Sequence, residues 1–405
     1  MDFIDYVYLF FAALSLYFMF LFLILYLSER KKLRKLPKIK KFPSVSIIIP
    51  AHNEEKIISK TIRNLKKLEY PRKIEIIVVD DGSTDRTAEI AKREGVKVIR
   101  KKQGGKASAL NVGIREAKGE IVVCIDADSF PSKDSLLKAV PFFSDPRVAA
   151  VTTSVYVKNT SKLIERMQAF EYATIVWSRK LLEFMDSVYV TPGAMSLYRR
   201  DVLLKVGGFD EQNMTEDIEI AWRLLANGYL IKMSLDSEVY TLVPNTFKKW
   251  WKQRIRWNIG GMQTTLKYFH TFLKKDFRSL GMFILPFFSF SYILSLLGFS
   301  VFLYVLFNSL YSFLFVTVGS YAYGTHPSFN FVDFFILPNV FFIFGTLIFV
   351  VSIIWMQISL KQTKKLVKSL RDVLELLLYL SFYITVFPIN LIHSTIKFIS
   401  GKYEW

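Results

Sequence analysis

Residues 74–85 read Ile74-Glu75-Ile76-Ile77-Val78-Val79-Asp80-Asp81-Gly82-Ser83-Thr84-Asp85. A short apolar, largely β-branched run ends abruptly in acids and a glycine. Such a run, bounded by turn residues, predicts a strand over Ile74–Asp80. The acidic pair then falls at the carboxyl end of the strand. Ser83 or Thr84 is placed to cap the helix that follows.

The same pattern extends on both sides. Ser44–Pro50 is a first strand. Glu54–Leu68 has helical spacing, with Ile57, Ile58, Thr61, Ile62, Leu65 and Leu68 on one side. Val96–Arg100 is a third strand, residues 106–117 a helix, and Ile121–Asp126 a fourth strand. Near-continuous apolar strands alternating with helices over 44–233 predict an α/β domain with a parallel sheet covered on both faces. Ligands of such sheets bind beyond the carboxyl ends of the strands. Three strands end in polar clusters there: Pro50-Ala51-His52-Asn53-Glu54, Asp80-Asp81-Gly82-Ser83 and Asp126-Ala127-Asp128. One acidic pair alone reads as a helix cap or turn. Three groups on one rim repel unless a cation joins them, and hard divalent ions such as Mg2+ or Mn2+ prefer oxygen ligands.

Apolar residues make up 52% of the 405-residue chain, and 37 residues are Phe. Residues 6–27 carry no charge and are long enough to cross a bilayer. The run is too long for a signal-peptide core and reads as a retained anchor. Further spans are predicted at 280–307, 334–358 and 373–397; in the last, Pro388, Asn390, His393 and Lys397 suggest a kinked or re-entrant helix. Segment 28–43 holds eight basic residues against Glu29, and 361–371 holds Lys361, Lys364, Lys365, Lys368 and Arg371 without an acid. Segment 308–332 has no Lys or Arg, as an outside loop should. The positive-inside rule therefore puts the N-terminus outside and the soluble domain in the cytosol of a multi-pass cell-membrane protein. The net charge of +19 lies largely in these flanks. Anionic lipid heads of the bilayer, rather than nucleic acid, are the expected partner.

Cys124 is the sole cysteine, which excludes an intrachain disulfide and a cysteine-based zinc site; its apolar surroundings predict a buried thiol. Four scattered histidines form no ligand set, and His52 reads as a bystander. Gly104-Gly105-Lys106 precedes a helix and suits either a phosphate-facing lysine or a plain turn; it lacks the P-loop spacing. Thr191-Pro192-Gly193-Ala194 reads equally as a tight turn. Glu216-Asp217 opens a helix whose apolar side holds Ile218, Trp222 and Leu225, where acids complement the helix dipole. Trp250, Trp251 and Trp257 lie among five basic residues in 248–257, as in an amphipathic helix with tryptophans at headgroup level.

Four segments taken together resemble family 2 glycosyltransferases: Val79–Asp85, Asp126-Ala127-Asp128, Thr215-Glu216-Asp217 and Gln253-Arg254-Ile255-Arg256-Trp257. The likeness covers roughly 44–260 and is narrower with the membrane-bound processive branch that includes cellulose, chitin, hyaluronan and poly-N-acetylglucosamine synthases. It implies a GT-A (Rossmann-like) α/β domain with one N-terminal and about three C-terminal transmembrane helices. The expected divisions are an anchor and basic linker at 1–43, the GT-A domain at 44–242, interfacial helices with the Gln-x-x-Arg-Trp motif at 243–278, and membrane helices at 279–405. The resemblance implies that the turn from Pro50 through Asn53 and Glu54, with Asp80, holds the nucleoside, usually uridine. Asp81 would lie towards the diphosphate, and Lys106 near phosphate. Asp126 would face ribose or metal, and Asp128 would bind the Mg2+ or Mn2+. Asp217, beside Glu216, would be the general base. Arg256 would pair with the diphosphate, while Gln253, Trp257 and Gly193 would line the acceptor site.

These residue types suit the implied chemistry. A metal and an arginine fork stabilise charge on a departing diphosphate. An attacking hydroxyl needs a carboxylate to take its proton. The expectation is inverting transfer from a UDP-sugar, with UDP-N-acetylglucosamine the best guess, to a growing polysaccharide or oligosaccharide. The alternatives are a single transfer to a lipid or lipid-linked glycan, and a silent nucleotide-sugar-binding scaffold. Four spans are few for a private channel, which leaves export by a homo-oligomer, export with a partner, or no export open.

Overall fold

The structure, a computed structural model, describes residues 3–323, 340–363 and 369–401. Its centre is an eight-stranded sheet in the order β3-β2-β1-β4-β7-β6-β8-β5. The strands are β1 Val45–Ala51, β2 Glu75–Asp81, β3 Lys97–Lys101, β4 Ile121–Cys124, β5 Ser129–Pro131, β6 Val148–Val157, β7 Ser196–Arg199 and β8 Leu230–Thr241. β1 pairs in parallel with β2 and β4, and β2 with β3. Beyond β4 the sheet is mixed: β7 runs antiparallel to β4 and β6, while β8 is parallel to β6. The predicted parallel sheet therefore ends at its fourth strand. An antiparallel neighbour needs no crossover helix, so helix–strand alternation does not announce it.

The helices of this region are α2 Ile58–Leu65, α3 Thr87–Arg93, α4 Lys106–Glu116, α5 Ser135–Ala139, α6 Leu163–Glu183, α7 Arg200–Lys205, α8 Glu216–Ala226 and α9 Phe247–Lys267. Strand side chains alternate between two cores. Ile48, Ile77, Val79 and Val122 face α4 and α8. Ile47, Ile49, Val78 and Val123 face α2 and α5. Burying each such residue contributes about 1.5–3 kcal/mol. Cys124 lies in the first core, as expected.

Two local expectations are corrected. The helix predicted from Glu54 begins only at Ile58. Its would-be first turn is tied across the sheet instead: Asn53 N donates to Ser83 Oγ, Glu54 N to Thr87 Oγ1, and Glu55 N to Asp85 Oδ2. Asn53 takes φ +57° there. Ser83 and Thr84 consequently serve this cross-link and do not cap α3, which starts at Thr87.

Among the described residues, four helical runs are long and apolar enough to cross a membrane. α1 spans Phe3–Glu29, α10 Leu285–Ala322, α11 Val340–Gln362 and α12 Leu370–Ile399. A π-helical turn, Leu280–Ile284, leads into α10. Residues 308–322, predicted as loop, continue this helix. The stretch stays apolar and has no proline to stop it. Residues 324–332 of that predicted loop, 334–339 of the predicted span, and Lys364, Lys365 and Lys368 lie outside the described residues. α12 remains helical through Pro388. The membrane helices dock on α6: Met167 and Phe170 pack with Met356 of α11 and Tyr379 of α12. Trp177 packs edge-on against Tyr26 of α1 and tilted against Trp355 of α11.

Candidate active site

A cavity of about 710 Å³ opens at the carboxyl ends of β1 and β4. Pro50, Glu54, Asp81, Asp126, Asp128, Lys106, Gly193, Glu216, Asp217, Gln253, Arg256 and Trp257 all line it. Asn53 and Asp80 do not. Asn53 joins the β1 and β2 loops, accepting from Thr84 N at 2.9 Å. Asp80 is fully buried, accepting from Ser83 N and pairing with Arg100 at 3.1 Å. Asp81 points the other way, into a nest of donors: Lys101 Nζ at 2.6 Å, Gly104 N at 2.9 Å and Gly105 N at 2.8 Å. Gly105 reaches this position at φ +88°, which favours glycine.

Lys106 leaves that glycine turn and enters the cavity. Its Nζ lies 2.6 Å from Asp126 Oδ1 and 3.0 Å from Glu216 Oε1. Burial pushes the lysine pKa down, but Asp126, Glu216 and Asp217 outweigh it, so the ammonium is held firmly charged. Gly193 makes room for this cluster. A Cβ there would stand 2.2 Å from Lys106 Nζ and 3.0 Å from both Asp126 carboxylate oxygens. The Gly193 carbonyl also accepts from Asp126 N at 3.0 Å. Thr191 donates through N and Oγ1 to the Asp217 carbonyl, at 3.1 and 2.9 Å. The Thr191–Ala194 loop thus ties β4's acidic end to the start of α8.

Two further carboxyls sit in an excess of negative charge and hold their protons more readily than usual. Burial, then Asp126, raise Asp128 to about 6. Burial, then Asp128 and Asp126, raise Glu54 to about 7. Asp128 is steadied by Thr241 Oγ1 at 3.2 Å. Asp217 is raised to about 6, by burial and then by Glu216, against the lowering pull of Lys106 and Arg256. Among the described residues no three His, Cys, Asp or Glu side chains form a metal-binding group. Two oxygen-bearing side chains, Asp126 and Asp128, in a negatively charged pocket still fit a divalent ion. Mg2+ is commonly held by one or two carboxylates plus substrate phosphates and water.

The Gln-x-x-Arg-Trp segment lies on α9, which is capped by Thr246. Arg256 is exposed to the cavity. Arg254, two residues earlier, is only 1% exposed and forms an ion pair with Glu171 of α6. Its guanidinium lies 4.0 Å from the centroid of the Trp257 ring, fixing that indole. Trp250 is fully buried against Phe382, and Trp251 Nε1 donates to His393 at 3.1 Å. α6 supplies residues that the sequence did not single out: Glu171, Tyr172 and Arg179 all line the cavity. Charged residues on a long helix read as a solvated face, and only the distant Arg254 reveals where Glu171 points.

Fold and site together define a GT-A-like domain bearing membrane helices. Residues 46–207 match the family described as Glycosyl transferase family 2. It is 33% identical over 254 residues to a poly-beta-1,6-N-acetyl-D-glucosamine synthase of Staphylococcus aureus (strain COL), covering 60% of this chain and 61% of that one. The Staphylococcus epidermidis protein of the same name is 34% identical over 250 residues, 60% of each chain. The match thus spans less than two thirds of these relatives' length. A solved mannosyltransferase from Pyrobaculum calidifontis, in complex with GDP-Man and Mn2+, shares the fold. Its TM-score is 0.57 at 21% identity, over 97% of this chain and 99% of that one.

Proposed function

We propose that this protein transfers a sugar, with inversion, from a nucleotide-sugar donor to a hydroxyl of a growing glycan at the membrane face. One observation carries the reading: Lys106, Asp126, Asp128, Asp217 and Arg256, drawn from distant parts of the chain, line one cavity. UDP-N-acetylglucosamine is the favoured donor, supported by the names of the staphylococcal relatives.

The nucleoside would lie towards Pro50, Glu54 and Asp81, and the diphosphate towards Lys106 and Arg256. Asp126 and Asp128 would hold Mg2+ or Mn2+, which when bound neutralises charge on the departing diphosphate. Asp217 takes the acceptor proton. The acceptor oxygen bonds to the anomeric carbon, the bond to the diphosphate oxygen breaks, and the electron pair leaves with the nucleoside diphosphate. Trp257, steadied by Arg254, and Gln253 would hold the acceptor sugar. The basic run at 28–43 supports a cytosolic catalytic domain with the N-terminus outside.

Purified membranes given labelled nucleotide sugars and Mg2+ or Mn2+ test the reading by product size and linkage. Asp217→Asn should lower transfer by about 100- to 10,000-fold while UDP binding persists. Normal turnover in that variant would remove Asp217 from the base role.

A further inference from the structure

Helix α12, Leu370–Ile399, is long and apolar enough to cross a bilayer, yet it touches the soluble domain near both of its ends. Near its start, Glu375 pairs with Arg166 at 2.8 Å and Tyr379 packs on Phe170, both on α6. At mid-helix, Phe382 lies edge-on to Trp250 of α9, with ring centroids 4.9 Å apart. Further on, Asn390 accepts from Asn258 Nδ2 at 3.0 Å and donates to the Trp251 carbonyl at 3.1 Å. Near its end, Phe398 packs against the cluster of Met214, Ile255 and Ile259, ahead of and along the catalytic helices.

Both partner helices are fixed to the domain. Lys180 of α6 donates to the Met233 carbonyl of β8, and Gly260 of α9 leaves no room for a Cβ beside Thr215. From Glu375 to Phe398 is about 35 Å along a helix axis. The hydrocarbon core of a bilayer is about 30 Å thick. A helix standing across it would carry one end away from the domain, whereas α12 keeps both ends on it.

The two sides of α12 differ. Glu375, Asn390 and Ser394 are buried against α6 and α9. Leu370, Leu374, Leu378, Ile384, Ile389 and Ile396 are exposed, and helical spacing gathers them in one stripe on the opposite side. The spanning helices meet α12 where they approach the domain. Leu376 and Tyr379 pack with Met356 and Leu360 in the last turns of α11, and Phe387 and Leu391 share the cavity wall with Phe288 and Ser291 in the first turns of α10. An apolar stripe at that level faces the boundary between headgroups and acyl chains.

We propose that α12 lies in the membrane surface and does not cross it. Its apolar stripe rests in the leaflet nearest the catalytic domain, while α1, α10 and α11 span. The chain at residue 400 then stays on the domain's side. Because Phe387 and Leu391 line the cavity, this helix forms the wall between the site and the lipid. The inference stands on packing and does not depend on the transfer reading.

The test uses the full chain in sealed vesicles. In a Cys124→Ala background, single thiols are introduced as Ser400→Cys and, to mark the catalytic domain, as Lys67→Cys; both positions are exposed. A membrane-impermeant maleimide should label the two from the same side. Labelling from opposite sides would overturn the proposal, whichever way the protein faces. Nitroxides at Leu374→Cys, Ile384→Cys and Ile396→Cys then report depth through collisions with oxygen and a nickel chelate. All three should lie about 5–10 Å deep. A helix that crosses, or dips in and returns, would bury the Ile384 label up to about 15 Å deeper than the Leu374 label, and such a gradient sinks the proposal.

Discussion

The Nζ of Lys106 lies 3.0 Å from a Glu216 carboxylate oxygen, joining the glycine turn after β3 to the first residue of α8. The same ammonium holds Asp126 at 2.6 Å, so one cation links both sides of the cleft. Lys106→Met should leave three acids without their counter-charge. We expect transfer to drop by about 100-fold or more. Because the lysine charge lowers the Asp217 pKa, its loss should move the acid limb of the pH–rate profile upward. An unshifted limb would show that Lys106 does not govern the base.

Asp217 itself sets the position of that limb. Its carboxyl is raised to about 6, mainly by burial, so it is protonated below that pH and ionised above it. Only the ionised form accepts a proton. Turnover should therefore fall about tenfold per unit as pH drops below about 6. A profile flat down to pH 4.5 would assign the base elsewhere.

Gly193→Ala introduces a Cβ 2.2 Å from the tip of Lys106. The tip of a long side chain can move, so the fold should lose only about 1–2 kcal/mol. The Lys106–Asp126 pair cannot stay in place, and activity should fall at least about tenfold. Thermal unfolding measured beside turnover separates the two effects.

Asp128→Ala removes one of two candidate metal ligands. UDP affinity in Mn2+ should fall by at least about tenfold, the scale seen even for groups that merely support ligands. Affinity without the ion should change little. A metal effect of unchanged size would put the ion elsewhere.

The Glu171–Arg254 pair joins α6 to α9 in a buried setting. Removing one partner strands the other, and Arg254→Met should cost about 3–5 kcal/mol in unfolding experiments. The double variant Glu171→Met, Arg254→Met should recover most of that. Additive losses would show that the pairing is energetically idle.

The sequence announces β1 to β4 because Ile47–Ile49, Val78–Val79 and Val122–Val123 are buried on both sides of the sheet, which leaves an unbroken apolar run. It announces the acidic rim because strand ends are where such a sheet stops being apolar. It overextends the helix at Glu54, since helical spacing cannot foresee that the backbone N–H groups of Asn53, Glu54 and Glu55 donate to Ser83, Thr87 and Asp85. It is silent about α6, where the buried Glu171 finds its partner in Arg254, 83 residues further along the chain. It also cannot show that Asp80 turns from the cavity while Asp81 faces it. Adjacent strand residues point to opposite faces, and which face carries the ligand depends on the loops above.

The aromatic contact of Trp177 with Tyr26 and Trp355 reaches further than packing. It bolts the helix that carries Tyr172 and Arg179 to two bilayer-spanning rods. The cavity thus keeps a set position relative to those two helices, as a workbench is fixed to a floor.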